Sequence, residues 1–259
     1  PTVTKFIAPG FFPVSLHHLP NLTEIDTLCW AFGSNSSPLI PNESYAQLLS
    51  LKCTSWPLKE QLLTLKSLTS LRVAVTKELT QTEVESLPPN LTSLTATHLS
   101  LAPQLFHLLP ANLLYLVIRH YTAATTDETQ PREVSPPPLS LRSLDLQCPA
   151  LIPTFLISLK SHTHLTSLRA EHVADLDPDS LLELPRSITE LRLGTFRTRP
   201  ILLHHLQGLP PSLTYLSLDP HASPTTNWAY FSGISPDDLH HHLPSSLAFF
   251  WLGTVIDST

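Results

Sequence analysis

The sequence predicts an α/β solenoid built from about ten short repeats, running through residues 1–259 as one domain. Three observations predict it. A phrase of the form Leu-Pro-x-Ser/Asn-Leu-Thr-x-Leu returns, with changes, at residues 87–94, 184–191, 209–216 and 243–250. Its apolar positions keep one register along the whole chain. Hydrophobic residues make up 42% of the chain and charged residues 14%, enough apolar material for a long continuous core. A repeat this short cannot bury its own apolar face, and the face is satisfied only by laying one unit against the next.

Aligned on the first Leu of Leu-x-x-Leu-x-Leu, the anchors are Leu22, Leu48, Leu68, Leu91, Leu113, Leu141, Leu165, Ile188, Leu213 and Leu247, 25 residues apart on average. The residue three on is Leu, Ile or Phe every time. The residue five on is apolar in every repeat except the first, where Thr27 stands. Alternate inward side chains at this spacing describe a short strand. Strands in equivalent positions of successive units then stack as a parallel sheet.

The remainder of each repeat returns along the outside. Residues 56–67 carry Leu58, Leu62, Leu63 and Leu65 close to helical spacing. Thr80 and Thr82 are candidate N-caps for a return through Glu83, Val84 and Leu87. Residues 153–159 and 180–184 are short apolar returns, the second preceded by the helix-start signal Asp177-Pro178-Asp179. Ser235-Pro236-Asp237-Asp238 is another start, with Pro and acids in the first turn. The Leu-Pro that follows stops each helix, because Pro disfavours helical backbone in the residue before it.

This pattern resembles the leucine-rich-repeat family across nearly the whole chain. The resemblance implies a curved horseshoe, with a parallel β-sheet on the concave face and short helices or irregular returns on the convex face. It also implies a macromolecular partner, most often a protein, bound across the concave sheet without a cofactor. Two features depart from the family pattern. The position eight after the anchor, Asn in the family, holds residues such as Trp56, Thr76, Leu99 and Phe196, and never Asn. The phrase at residues 184–194, followed by Phe196, Pro200 and Ile201, resembles the FNIP repeat subfamily, although that subfamily's Phe-Asn-x-Pro tetrad is not intact.

Composition excludes several function classes. The net charge of -6, from 15 basic and 21 acidic residues, disfavours a general nucleic-acid binder, which needs a cationic surface. No apolar run reaches the roughly 18 residues of a membrane span. Cys29, Cys53 and Cys148 show neither disulfide nor zinc spacing and read as buried small hydrophobes, which favours a cytoplasmic setting. A secreted setting would instead place glycan on Asn35 or Asn42, since Asn21 and Asn90 belong to the repeat phrase itself. Three spacings are long and contain residues 33–41, 122–138 and 219–235. The last holds Trp228, Tyr230 and Phe231.

Candidate chemistry is sparse. Fourteen histidines include His17-His18, His204-His205 and His240-His241-His242, all near the end of a return. They are expected as exposed helix-end residues, suited to the negative C-terminal pole of a helix, rather than metal ligands. No nucleophile elbow, phosphate loop or metalloprotease motif is present, and with 6 Gly a backbone phosphate cradle is not expected, so no enzyme activity, metal or cofactor is assigned. The outward strand positions, two, four and six after each anchor, are left to carry function. Arg and Tyr, the types that dominate binding hot spots, stand there at Arg72, Tyr115, Arg119, Arg169, Arg192 and Tyr215. With Trp228 and Tyr230 of the long loop and Trp251 of the last strand, they are the candidate partner-binding residues. The reading is a protein-interaction scaffold, with no nucleic acid and no membrane span. Self-association through the C-terminal edge, a substrate-recognition role in a larger ubiquitin-ligase-type protein, and a secreted or surface receptor stay open beside it.

Overall fold

The structure, a computed structural model, describes residues 4–8, 21–27, 47–54, 56–57, 59–119, 135–147, 154–170, 176–194, 200–218 and 241–252. Among these, eleven strands form one parallel sheet in sequence order. They are β1 (Lys5–Ala8), β2 (Glu24–Thr27), β3 (Ser50–Cys53), β4 (Ser70–Glu78), β5 (Ser93–Ser100), β6 (Tyr115–Arg119), β7 (Ser143–Leu146), β8 (Ser167–Ala170), β9 (Glu190–Leu193), β10 (Tyr215–Leu218) and β11 (Phe249–Leu252). Strands β2 to β11 each begin two residues after a sequence anchor. Their pairing follows the repeat alignment, as in Leu144↔Leu168, Leu168↔Leu191 and Leu191↔Leu216. Strand β1 adds a unit before the first anchor, with Phe6 opposite Ile25. No Leu precedes it to announce it.

The three apolar columns are the core. Anchors Leu48, Leu68, Leu91, Leu113, Leu141, Leu165, Ile188 and Leu213 are wholly buried, as are Leu71, Leu94, Leu116, Leu144, Leu168, Leu191 and Leu216 in the second column. The smaller third column, with Cys53, Val73, Ala96, Ile118, Leu146, Ala170, Leu193 and Leu218, is buried too. Cys53 therefore is the buried small residue expected, while Cys29 and Cys148 lie outside the described residues. At the C-terminal end Leu247 and Phe250 are only partly buried against this core.

Polar order between units is concentrated at the strand starts. The carbonyl one residue after each anchor accepts two backbone N–H groups from the next unit, as Thr166 O does from Thr189 N at 2.8 Å and Glu190 N at 3.0 Å. Ten such steps run unbroken from Thr4 to Phe249. At Thr23, Thr69, Thr92, Thr166, Thr189 and Thr214 the hydroxyl donates to the same carbonyl. One residue earlier than the anchor, Ser140, Ser187, Ser212 and Ser246 donate to the carbonyl of the previous anchor, each within 2.8 Å. The phrase Ser-Leu-Thr thus has two hydrogen-bonding residues around one core residue. Asn90 follows the same grammar, its amide donating to Lys66 O at 2.9 Å. Of the positions where the family carries Asn, Trp56 and Leu99 are buried and fill the space with apolar volume.

The convex returns are short. They comprise α1 (Lys59–Thr64), α2 (Gln81–Glu85), α3 (Thr154–Ser158), α4 (Leu203–Gln207) and tighter 3-10 turns at Pro103–Leu108, Leu159–Ser161 and Pro178–Glu183. Helix α1 buries Leu62 and leaves Leu63 exposed, so only part of the expected apolar stripe is used. Thr80 caps α2: the Glu83 carboxylate accepts from the Thr80 N–H at 3.0 Å and also pairs with Lys77. Asp177 caps the 178–183 turn through Asp179 N. The return proposed at Ser235 lies outside the described residues, as do the loops at 33–41 and 219–235 and most of 122–138. Between adjacent returns, His162 is fully buried with its ring nitrogens against Leu159 O and Pro137 O, and it staples one unit to the one before.

Two substitutions compare the apolar and polar columns. Leu191→Ala, in a fully buried position, should cost about 2–5 kcal/mol. Thr189→Val keeps the shape and loses one half-buried hydroxyl bond, and should cost at most about 1 kcal/mol. Urea unfolding of both variants checks the order. A larger loss for Thr189→Val would mean that the hydroxyl ladder, not the Leu columns, dominates cohesion between units.

Candidate functional site

Strands β2 to β11 turn alternate side chains out of the core, and the outward columns sort into zones. At the N-terminal end, Lys5 pairs with Glu24 at 2.6 Å and Lys52 with Asp26 at 2.9 Å. Strands β3 to β5 begin with Ser50, Ser70 and Ser93. Arg72 is exposed there and stands apart from the other candidate residues. The C-terminal half is different: arginines, carboxylates and aromatic rings meet over β6 to β11.

Glu190, the first residue of β9, organises this half. Its Oε1 accepts from Arg169 at 2.7 Å and from Arg192 at 3.0 Å, and its Oε2 accepts from the Ser167 hydroxyl at 3.0 Å. The two arginines that stack in one column would repel each other, and the carboxylate between them holds both guanidinium planes. Burial by itself raises the Glu190 carboxyl. The Arg169 hydrogen bond and charge, the Ser167 hydroxyl and the Arg192 charge outweigh it and hold the group below its ordinary value. Two strands back, Arg119 lies 3.5 Å from Asp145. Asp145 and Ser217 occupy outward positions expected to be exposed, yet both are buried, because the large Arg and aromatic side chains on flanking strands cover these short ones.

A row of rings continues from the second arginine. The Arg192 guanidinium lies 4.5 Å from the centre of the Tyr215 ring, a cation–π contact. Tyr215 stacks on Phe249 with centres 4.5 Å apart and planes 8° apart, and Phe249 and Trp251 stay parallel at 6.5 Å. Phe249 is 43% exposed and Trp251 38% exposed. Tyr115, exposed on β6, borders an open depression of about 710 Å³ that reaches over β7 and β8 to Glu190. The structure therefore brings Tyr115, Arg119 and Arg169 to one depression, and Arg192, Tyr215 and Trp251 to the adjoining ring row. Trp228 and Tyr230 lie outside the described residues.

Arg142, also on the depression, was not among the sequence candidates. It sits one residue after its anchor, in the column that is Thr in six other repeats. Leu49, Leu114 and Ala248 also depart from Thr there, so the available signal was that Arg142 is the one charged residue in the column. Phe249, two residues after its anchor, is the middle ring of the row and was not among the sequence candidates.

Among the described residues, one cluster on the convex side has metal-ligand chemistry: Asp179, His204 and His205. His204 is exposed, as expected of a helix-end histidine, but His205 is buried at 1% and corrects that expectation. Its Nδ1 accepts the Leu202 N–H at 2.9 Å, and its Nε2 lies 2.9 Å from Asp179 Oδ1. With Nδ1 an acceptor, the neutral ring carries its proton on Nε2 and donates to Asp179. A metal on Nε2 would have to displace that proton. His205 instead satisfies an N–H at the start of α4 and ties the return to the preceding one, which is a structural role.

No family model matches the chain, so the FNIP-like resemblance gains no support, and no curated protein matches it. Among solved structures, an internalin from Listeria monocytogenes superimposes with a TM-score of 0.58 at 16% identity, over 92% of this chain and 63% of that one. The chain has the leucine-rich-repeat fold. A circular leucine-rich-repeat protein, CroV588, is also similar, with a TM-score of 0.45 and 19% identity over 88% of this chain and 33% of that one. This leucine-rich-repeat chain thus spans less than two thirds of the internalin's length. Among the described residues no helix is long and apolar enough to cross a membrane.

The Glu190 network has a pH signature. A carboxyl held below its unfolded value adds stability that is fully present above that value, ~4.3, and is lost as pH falls through the folded one. The urea midpoint of the wild-type protein should therefore drop more steeply from about pH 5 to about pH 3 than that of Glu190→Gln. Parallel profiles would show that Arg169 and Arg192 do not hold the carboxylate.

Proposed function

We propose that this leucine-rich-repeat domain is a non-enzymatic interaction scaffold, acting as one unit over residues 1–259 and binding a protein partner through the C-terminal half of its concave face. The observation that carries the reading is the ring row, half-buried Tyr215 with exposed Phe249 and Trp251, held parallel on a sheet and continued by Arg192. Aromatic and Arg side chains supply most of the affinity at protein interfaces. Rings already stacked on a rigid sheet lose little conformational freedom when a partner covers them. Parallel strands give that surface its width, and the ladder at the strand starts keeps it from moving. Protein partners of other leucine-rich-repeat proteins lend the reading support by analogy of fold alone.

Affinity capture with the whole chain tests it. Proteins enriched by the wild type should be lost with Phe249→Ala/Trp251→Ser and kept with Lys59→Ala/Glu60→Ala on the exposed side of α1. Equal recovery by all three baits would remove the concave face from consideration.

A further inference from the structure

We propose that the depression over β6 to β9 is a carboxylate-binding subsite whose occupant is a short acidic segment of a partner protein. The proposal rests on the protein-binding reading above and specifies which chemistry the face selects. Its first support is charge. Arg119, Arg142 and Arg169 line the depression and Arg192 borders it, against two carboxylates, Asp145 and Glu190. This local cationic excess sits in a chain of net charge -6.

The two carboxylates are themselves committed. Glu190 already accepts from Arg169, Arg192 and Ser167, and Asp145 is buried beside Arg119. They work as supports that orient guanidinium groups, not as acceptors for a cationic ligand. A guanidinium carries five N–H donors in a planar fork. That fork matches a carboxylate in two-pronged geometry, which a lysine ammonium does not. Among the described residues the Lys and Arg side chains that line the depression are all Arg, whereas Lys5 and Lys52 stand away from it on β1 and β3.

Arg142 is the second, independent support. The repeat asks for Thr at its position, to donate to the carbonyl of the preceding unit. Arg142 keeps the backbone part of the ladder, with Arg142 N donating to Leu114 O at 2.8 Å, and gives up the hydroxyl bond. Its side chain is exposed at the depression and has no hydrogen-bonding or ionic partner among the described residues. Leu49, Leu114 and Ala248 also stand where other repeats have Thr, and Arg142 alone in this column places a charge at the face.

Size separates a peptide from a small anion. From β6 to β9 is three strand spacings, roughly 14 Å, which an extended chain of about four residues spans. The depression's volume of about 710 Å³ suits such a segment, whereas a lone phosphate would occupy a fraction of it. Hydroxyls of Thr163, Thr166 and Ser143 line the same space and suit peptide groups between the acids. The segment then leads past Arg192 to the ring row, which takes an apolar residue. A long nucleic acid is disfavoured, because the rest of the chain is anionic.

Fluorescence anisotropy with the full chain and a labelled peptide, Glu-Glu-Glu-Glu-Gly-Trp, tests this directly. The peptide should bind, its Gln-for-Glu counterpart should bind at least about tenfold more weakly, and added salt should weaken only the acidic peptide. Arg142→Glu should lose about tenfold or more, Arg142→Gln should lose less, and Lys59→Glu on the convex side, with the same change of net charge, should bind as the wild type does. Unchanged thermal melting shows that the Arg142 variants fold. No binding by the acidic peptide, or equal losses in Arg142→Glu and Lys59→Glu, would overturn the subsite. So would a phosphoserine peptide or a single-stranded oligonucleotide binding more than about tenfold tighter than the Glu peptide. Failure here with partner capture still dependent on Phe249 and Trp251 would reject the acidic occupant and leave the concave-face scaffold standing.

Discussion

Each repeat meets the next through two kinds of contact laid side by side. Three apolar side chains enter the core, and one carbonyl beside them collects donors from the following unit. The apolar contact contributes more to cohesion, since every fully buried Leu removes an area of hydrocarbon from water that no single repeat can hide alone. The polar contact sets register. A slip of one residue along any strand would turn the Leu columns to solvent and break the shared carbonyl at the same time. Every strand from β2 to β11 therefore presents its outward residues at defined heights, and the binding surface inherits that order.

The surface is organised by the few positions where the repeat departs from its own habit. Five of the eleven strands begin with Ser, the commonest first residue, which presents little volume. Glu190 replaces Ser in β9, Tyr215 and Phe249 replace it in β10 and β11, and Arg142 replaces Thr just ahead of β7. Parallel stacking places these substitutions at the same height on neighbouring strands. Glu190 then lies between two arginines, and the second arginine lies against a ring that stacks on another. The proposed binding depends on this adjacency. Isolated on separate loops, the same residues would have been an ordinary set of surface charges.

The convex side shows a different use of polar residues. His162 and His205 are buried, and each spends its ring nitrogens on groups of its own and the preceding return. A backbone group at a tight turn must find a partner when water cannot reach it. Imidazole is compact, and its two nitrogens reach in opposite directions. Histidine count alone suggested surface or metal chemistry; the bonding assigns these two to holding adjacent returns together.

The sequence by itself determined the repeat, its register, the strand positions and the three core columns, because burial on one face of a short strand leaves a periodic apolar mark in the chain. It also marked the outward columns, and with them Arg169, Arg192, Tyr215 and Trp251. The strand at Lys5–Ala8 left no such mark, since no Leu-rich phrase precedes it. Only the tertiary structure decided which outward residues meet. The Glu190 clamp, the ring row and the burial of Asp145 join residues more than twenty positions apart, and each depends on the side-chain volumes of two neighbouring strands at once. A periodic pattern states where a side chain points, but what it touches is decided by the unit beside it.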